Sequence, residues 1–130
     1  MSEAMDAIEI GVFTELTAAA IGIPIYQHVP EDTAPPVIII GDLDSDDSIS
    51  TKDDDLDEAI ELEITTVMQT QQRKPVLITQ ARIKAALNGK AIMMPGFTIR
   101  PLWVSQSAVL LPDGENYVGT SRFRIMALAD

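Results

Sequence analysis

Apolar positions recur along this chain with two different periods, and each change of period marks a change of element. Near the N-terminus Met5, Ile8, Val12, Leu16 and Ala19 fall at steps of three and four, which predicts an amphipathic helix over residues 4 to about 21. Ser2, Glu3 and Asp6 suit a helix start, where acids meet the positive end of the dipole. Gly22 is a stop and Pro24 bars resumption. Gly11 weakens the middle of this helix, or lets another element come close. Three strands are expected next. Ile25 to Val29 is short and ends at Pro30. After a polar link and the rigid, extended pair Pro35-Pro36 comes Val37 to Ile40, apolar at every position and so covered on both faces or central. Gly41 and Asp42 close it, at a bulge. The third strand, Ile60 to Met68, alternates, with Ile60, Leu62 and Ile64 on one face and Glu61, Glu63 and Thr65 on the other.

Helical spacing returns after Pro75, a residue suited to a first helical turn. Val76, Gln80, Ile83 and Leu87 line one side, with Leu77 and Ala81 beside them, and Asn88-Gly89 ends the run. The last third reads as β structure. Ala91 to Met94 is short and turns at Pro95-Gly96. Phe97, Ile99 and Leu102 to Val104 follow, with Pro101 arguing for an edge or a bulge. Pro112-Asp113-Gly114 is a turn before a long closing strand, Tyr117 to Leu128, in which Phe123, Ile125 and Ala127 share one phase and Arg122 and Arg124 the other. The order α-β-β-β-α-β-β-β predicts an α+β fold. Two helices pack on one face of a largely antiparallel sheet, a mixed sheet being the alternative, in a single domain over residues 1–130.

Composition narrows the function classes. Twenty acids stand against nine bases, for a net charge of −11. A phosphate backbone is repelled by such a chain, so specific nucleic-acid binding is not expected. Hydrophobic content of 46 % is that of a folded domain. The absence of cysteine removes disulfides, thiolate metal sites and thiol catalysis. No apolar run approaches a membrane span, and Met1 to Asp6 lacks the basic start of a signal peptide, so a soluble protein made inside the cell is expected.

Candidate chemistry concentrates in one place. Residues 42–58 hold Asp42, Asp44, Asp46, Asp47, Asp53, Asp54, Asp55, Asp57 and Glu58 against Lys52 alone, and read as a long acidic hairpin connection. The D-x-D-x-D spacing of Asp42, Asp44 and Asp46, with Asp53 at the twelfth position, is that of a calcium loop. Asp47, however, stands where a glycine makes the sharp turn, and Asp53 is shorter than the usual bidentate Glu. A small cation- or ligand-binding module is the alternative function this segment offers, but no metal or cofactor is assigned. His28 has no legible partner, and the chain lacks a nucleophile elbow, a glycine-rich phosphate loop and a zinc-protease helix. Trp103 and Tyr26 are core or interface residues rather than substrate platforms. Arg122 and Arg124, with Arg100, read either as cross-strand partners of Glu61 and Glu63 or as a face complementary to the acidic segment of a neighbouring copy. Asp42, Asp44, Asp46, Asp47, Asp53, Asp54, Asp55, Arg122 and Arg124 are therefore the candidates for an interface or a lumen.

The order of elements resembles that of the phage tail-completion proteins, the tail terminators or tail-to-head joining proteins. The residues that carry the likeness are Ile25 to Pro30, Ala34 to Gly41, the alternating strand Ile60 to Met68, the helix Ile78 to Leu87 and the closing Phe123 to Leu128, together with the N-terminal helix. The likeness spans nearly the whole chain, through loose structural motifs. It departs in the density of acids after Gly41 and at Pro36-Val37, where an aromatic often follows the proline. What it implies is a structural virion protein, not an enzyme, with no catalytic residue carried over. Such a subunit forms a ring, commonly a hexamer, that caps the tail tube and meets the tube protein on one side and the head-side connector on the other. Its place is the head–tail interface of a long-tailed phage or prophage particle, after synthesis in the host cytoplasm, with no membrane involved.

Overall fold

The alternating strand through Leu62 has a partner strand on each side, and the sheet extends from it in both directions. A computed structural model describes residues 3–28, 30, 32–45 and 58–129. Its elements are α1 (Glu3–Ala18), β1 (Ile25–Tyr26), β2 (Val37–Ser45), β3 (Glu58–Gln69), α2 (Lys74–Leu87), β4 (Ile92–Met94), β5 (Phe97–Leu110) and β6 (Asn116–Ala129). The strands form one six-stranded sheet in the order β1-β2-β3-β6-β5-β4. β3 and β6 run antiparallel without a break from Glu58↔Ala127 to Gln69↔Asn116. β2, β5 and β4 add antiparallel neighbours, while β1 lies parallel to β2 through Ile25↔Ile38 and Tyr26↔Ile39. The sheet is therefore mixed, and the fold is α+β.

Both helices lie on the same face. Ile60, Leu62 and Ile64 of β3 and Phe123 and Ile125 of β6 are fully buried in one cluster with Ile8, Val12 and Leu16 of α1 and Ile83 and Leu87 of α2. Burying side chains of this size contributes about 1.5–3 kcal/mol each. Two glycines set how closely the helices sit. A Cβ at Gly11 of α1 would stand 2.9 Å from Ile99 Cδ1, so the helix rides directly on β4 and β5. A Cβ at Gly119 of β6 would stand 2.6 Å from both Val76 Cγ1 and Gln80 Nε2 of α2. Gln80 is itself fully buried and donates from Nε2 to the Ser107 carbonyl at 2.9 Å, which ties α2 to β5.

Several expectations need correction. α1 ends at Ala18 rather than near residue 21, and the chain turns first at Ala20, which takes a positive φ of 52°, before Gly22 at 90°. β1 spans two residues only. The Pro35-Pro36 link is joined by a cis peptide bond rather than extended. β2 does not close at Asp42. The extra residue is absorbed in a register shift between Ile40 and Leu43, and pairing with β3 resumes at Leu43↔Leu62 and runs to Ser45. On α2 the buried positions are Val76, Thr79, Gln80, Ile83, Ala86 and Leu87, while Leu77 and Ala81 face outward. Each of those two is one residue, about 100°, past a position that meets the sheet. β5 is a single strand through Pro101. Pro101 lies just beyond the reach of β4, where no strand needs its missing N–H, and its carbonyl accepts from Gly89 N at 2.7 Å. The expected bulge falls after it, between Trp103 and Ser105.

The β5–β6 turn is held by Asp113. Its Oδ1 accepts from the backbone N–H groups of Glu115 at 2.8 Å and Asn116 at 3.0 Å, and its Oδ2 accepts from Asn116 Nδ2 at 2.7 Å. The Asn116 side chain, and then the two backbone donors, hold the Asp113 carboxyl below its ordinary 3.8. A depressed carboxylate stabilises the fold above its unfolded value, and that contribution is lost as pH falls through the folded value. An NMR titration will therefore show Asp113 losing its charge below 3.8, and Asn116→Ala will return the midpoint toward that value. A second expectation separates the two glycines. Gly119→Ala meets the short, stiff Val76 side chain and should cost about 1–3 kcal/mol in urea unfolding. Gly11→Ala meets the far end of Ile99 and gains about 1 kcal/mol of helix propensity, so it should be close to neutral.

Candidate functional site

α1 and α2 cover one face of the sheet, and among the described residues no helix lies on the other. Register arranges it in rows that cross the strands. At one end Val37, Val67, Val118 and Val109 stand side by side across β2, β3, β6 and β5. Ile39, Thr65, Thr120 and Ser107 form the next row, then Glu63, Arg122 and Ser105, then Glu61, Arg124 and Leu102. The face thus grades from aliphatic to charged along the strands. Of the valines, Val109 is 52 % exposed, whereas Val37 is 5 % exposed.

Arg122 and Arg124 are placed on this face by the same alternation that sends Phe123 and Ile125 inward. Arg122 Nε reaches Glu63 Oε1 at 3.0 Å, and Arg124 Nη2 reaches Glu61 Oε1 at 3.4 Å. Each pair sits directly opposite in the β3–β6 register. Both arginines thus make the cross-strand pairing expected from the alternation of their strands. Arg100 lies apart from them and donates from Nη1 to the Gly89 carbonyl at 3.5 Å.

The acidic candidates divide. Asp42 and Asp44 belong to β2, with Asp44 opposite Glu61 in register. Asp46, Asp47, Asp53, Asp54 and Asp55 lie outside the described residues, as do most of the positions of the calcium-loop pattern. The first two aspartates of the calcium-loop pattern, Asp42 and Asp44, thus lie on the strand that pairs with β3. His28 stands exposed beyond β1. Two shallow grooves meet near Ile21. One, of about 420 Å³, is lined by apolar residues including Phe13, Leu16 and Pro24, and the other, of about 510 Å³, includes Arg82 and Ala86. Among their described lining residues there is no carboxylate and no histidine.

Sequence reasoning missed the exposed apolar positions. Leu77 and Ile78 on α2, Leu102, Val104, Val109 and Leu110 on β5, and Met93 on β4 are all 41 % or more exposed. The signal for α2 is the phase of Thr79 and Ala86, which the larger side chains beside them obscure. The basic residues of this region are also engaged. Lys84 Nζ lies 4.0 Å from the centroid of the half-buried Trp103 ring, and the Arg73 guanidinium 5.5 Å from that of Tyr117.

Among the described residues these features are extended surfaces and two shallow grooves. The sequence model of the family described as "Tail completion protein gp17" matches residues 13–127. The chain belongs to the tail-completion family. No curated protein matches this tail-completion chain in sequence. Among solved structures, it resembles a chain of the virion of a native gene transfer agent particle, with a TM-score of 0.84 and 16 % identity over 98 % of each chain. It also resembles the gp17 protein of bacteriophage SPP1, with a TM-score of 0.62 and 21 % identity over 94 % of this chain and 91 % of that one. At these identities the likeness is one of fold. Together with the family match it makes the chain a structural phage tail protein, and the family is not one of enzymes.

The cross-strand ion pairs of this tail-completion protein are half-exposed, so each should contribute only about 0.2–1 kcal/mol to folding. A double-mutant cycle on Glu63→Ala and Arg122→Ala, read by urea unfolding, should give a coupling in that range that shrinks at high salt.

Proposed function

We propose that this chain is the repeating subunit of a ring that closes the tail tube of a long-tailed phage or prophage particle and joins it to the head-side connector. The observation that carries the reading is the family match over residues 13–127. The likeness to a chain of an assembled gene transfer agent virion, over 98 % of both chains, supports a place in a particle. The surface agrees with an assembly role. The uncovered sheet face, the exposed aliphatic residues of β5 and the solvent side of α2 are broad, which suits contact with other subunits, a tube protein and a connector protein. The net charge of −11 per subunit suits a ring that DNA crosses, since the duplex then passes without sticking. A hexamer is the ring size this reading favours. Its role is one of shape and charge, and it needs no cofactor.

Size-exclusion chromatography with light scattering, at several protein concentrations and salt levels, followed by imaging of the large species, tests this reading. The expected result is a discrete, concentration-dependent oligomer that images as a ring. A chain that stays monomeric throughout, and is missing from the tail end of particles made with it, would sink the proposal.

A further inference from the structure

The two halves of α2 are anchored differently. Ile83, Ala86 and Leu87 of its second half belong to the apolar core. Lys84 lies in the last turn, where a cation meets the negative end of the dipole, and also sits over the Trp103 ring. Past the helix end, Asn88 N donates to the Lys84 carbonyl at 2.8 Å, Gly89 N donates to the Pro101 carbonyl, and Asn88 Oδ1 accepts from Trp103 N.

The first half has little of this support. Arg73 at the N-cap makes no side-chain cap, no acid stands in the first turn, and Arg73 and Lys74 put two cations at the positive end of the dipole. Thr79 turns its hydroxyl back onto the Pro75 carbonyl at 2.9 Å, a bond that loosens a helix. Val76 is buried, yet it lies outside the core cluster that takes Ile83 and Leu87.

The seat beneath this half is polar. Val76 and Gln80 close on Gly119, Thr66 faces Gly119 across the β3–β6 register, and Ser121 follows two residues along on the same face. Thr66 Oγ1, Gln80 Oε1 and Ser121 Oγ are buried, and none has a hydrogen-bond partner among the described residues. Gln80 cannot mend this by exchanging the ends of its amide, because only Nε2 can donate to the Ser107 carbonyl. Each unpartnered group has given up its bonds to water without replacing them. Lifting the first half would return all three to water. Against that stand the burial of Val76 and Thr79, the Gln80–Ser107 bond and the contact of Arg73 with the Tyr117 ring.

We propose that Lys74 to Gln80 form a strap, which leaves the sheet and unwinds as a unit while Ile83 to Leu87 stay in place. Its opening costs less than global unfolding, because it exposes few apolar side chains and hydrates three polar groups that the closed fold leaves unpaired. The exposed Leu77 and Ile78 travel with it.

Hydrogen exchange, read residue by residue by NMR on the full-length chain, tests the strap. Amides of Leu77 to Gln80 should be about a hundredfold less protected than those of Ala85 to Asn88, and their exchange should respond less to urea. Thr66→Val with Ser121→Ala replaces two unpartnered groups by apolar ones of similar size. Protection of Leu77 to Gln80 should then rise about tenfold, because lifting no longer gains their hydration. Lys74→Glu leaves the seat alone and puts an acid at the positive end of the dipole, so it should raise protection of the same amides about threefold. Even protection along α2 in the wild-type chain overturns the strap. So does a Thr66→Val, Ser121→Ala chain in which Leu77 to Gln80 exchange as before, since the helix end then frays without leaving its seat. Should that chain fail to fold, unchanged exchange of Leu77 to Gln80 in Lys74→Glu overturns it equally.

Discussion

The unbroken pairing of β3 with β6 is the constraint from which the remaining structure follows. Twelve consecutive residues of each strand face one another, from Glu58↔Ala127 to Gln69↔Asn116. Side chains alternate along a strand, so a slip of one residue would send Ile60, Leu62, Ile64, Phe123 and Ile125 to solvent and bring Glu61, Glu63, Arg122 and Arg124 under the helices. Burying four charges there would cost far more than the ion pairs return at the surface. The register is therefore held by a large penalty on the wrong side and by only small gains on the right one.

That single choice of face distributes everything else. α2 is drawn down where Gly119 leaves room for Val76 and Gln80, and α1 where Gly11 leaves room for Ile92 and Ile99. The β5 edge beyond β4 is not left bare. Gly89 donates to the Pro101 carbonyl, Asn88 Oδ1 accepts from the Trp103 N–H, and Gln80 donates to the Ser107 carbonyl. Covering an edge in this way discourages strand-to-strand addition there. The same packing turns Lys74, Ile78 and Arg82 outward together, because a helix that buries Val76, Thr79, Gln80 and Ile83 has those positions on its far side.

Much of this is legible from residue order. The strict alternation of Ile60 to Thr65, the helix between Pro75 and Asn88-Gly89, the turn at Asp113-Gly114 and the partnership of Glu61 and Glu63 with the two arginines all follow from local periods and turn chemistry. Other features are hidden. The phase of α2 escapes a reading by hydropathy because Leu77 is more apolar than Thr79, and only the sheet beneath decides which of the two is buried. The continuation of β2 past Gly41 is masked because aspartates are poor strand formers, yet pairing with Leu62 and Glu61 keeps them extended. The parallel placement of β1 rests on two residue pairs and one backbone bond from Ile38 N to the Pro24 carbonyl, too little to leave a trace in composition.

The order and type of the elements, the inward set of β3 and β6 and the acidity of residues 42–58 were determined by the sequence alone, since each depends on neighbours a few residues apart. The tertiary structure decided the strand order, the outer stripe of α2 and which cations remain unpaired, because those depend on residues brought together from distant parts of the chain. The alternation of β6 already sets Arg122 opposite Glu63, whereas nothing local brings Arg82 Nη1 within 3.3 Å of the Ile21 carbonyl, and the fold alone makes that contact.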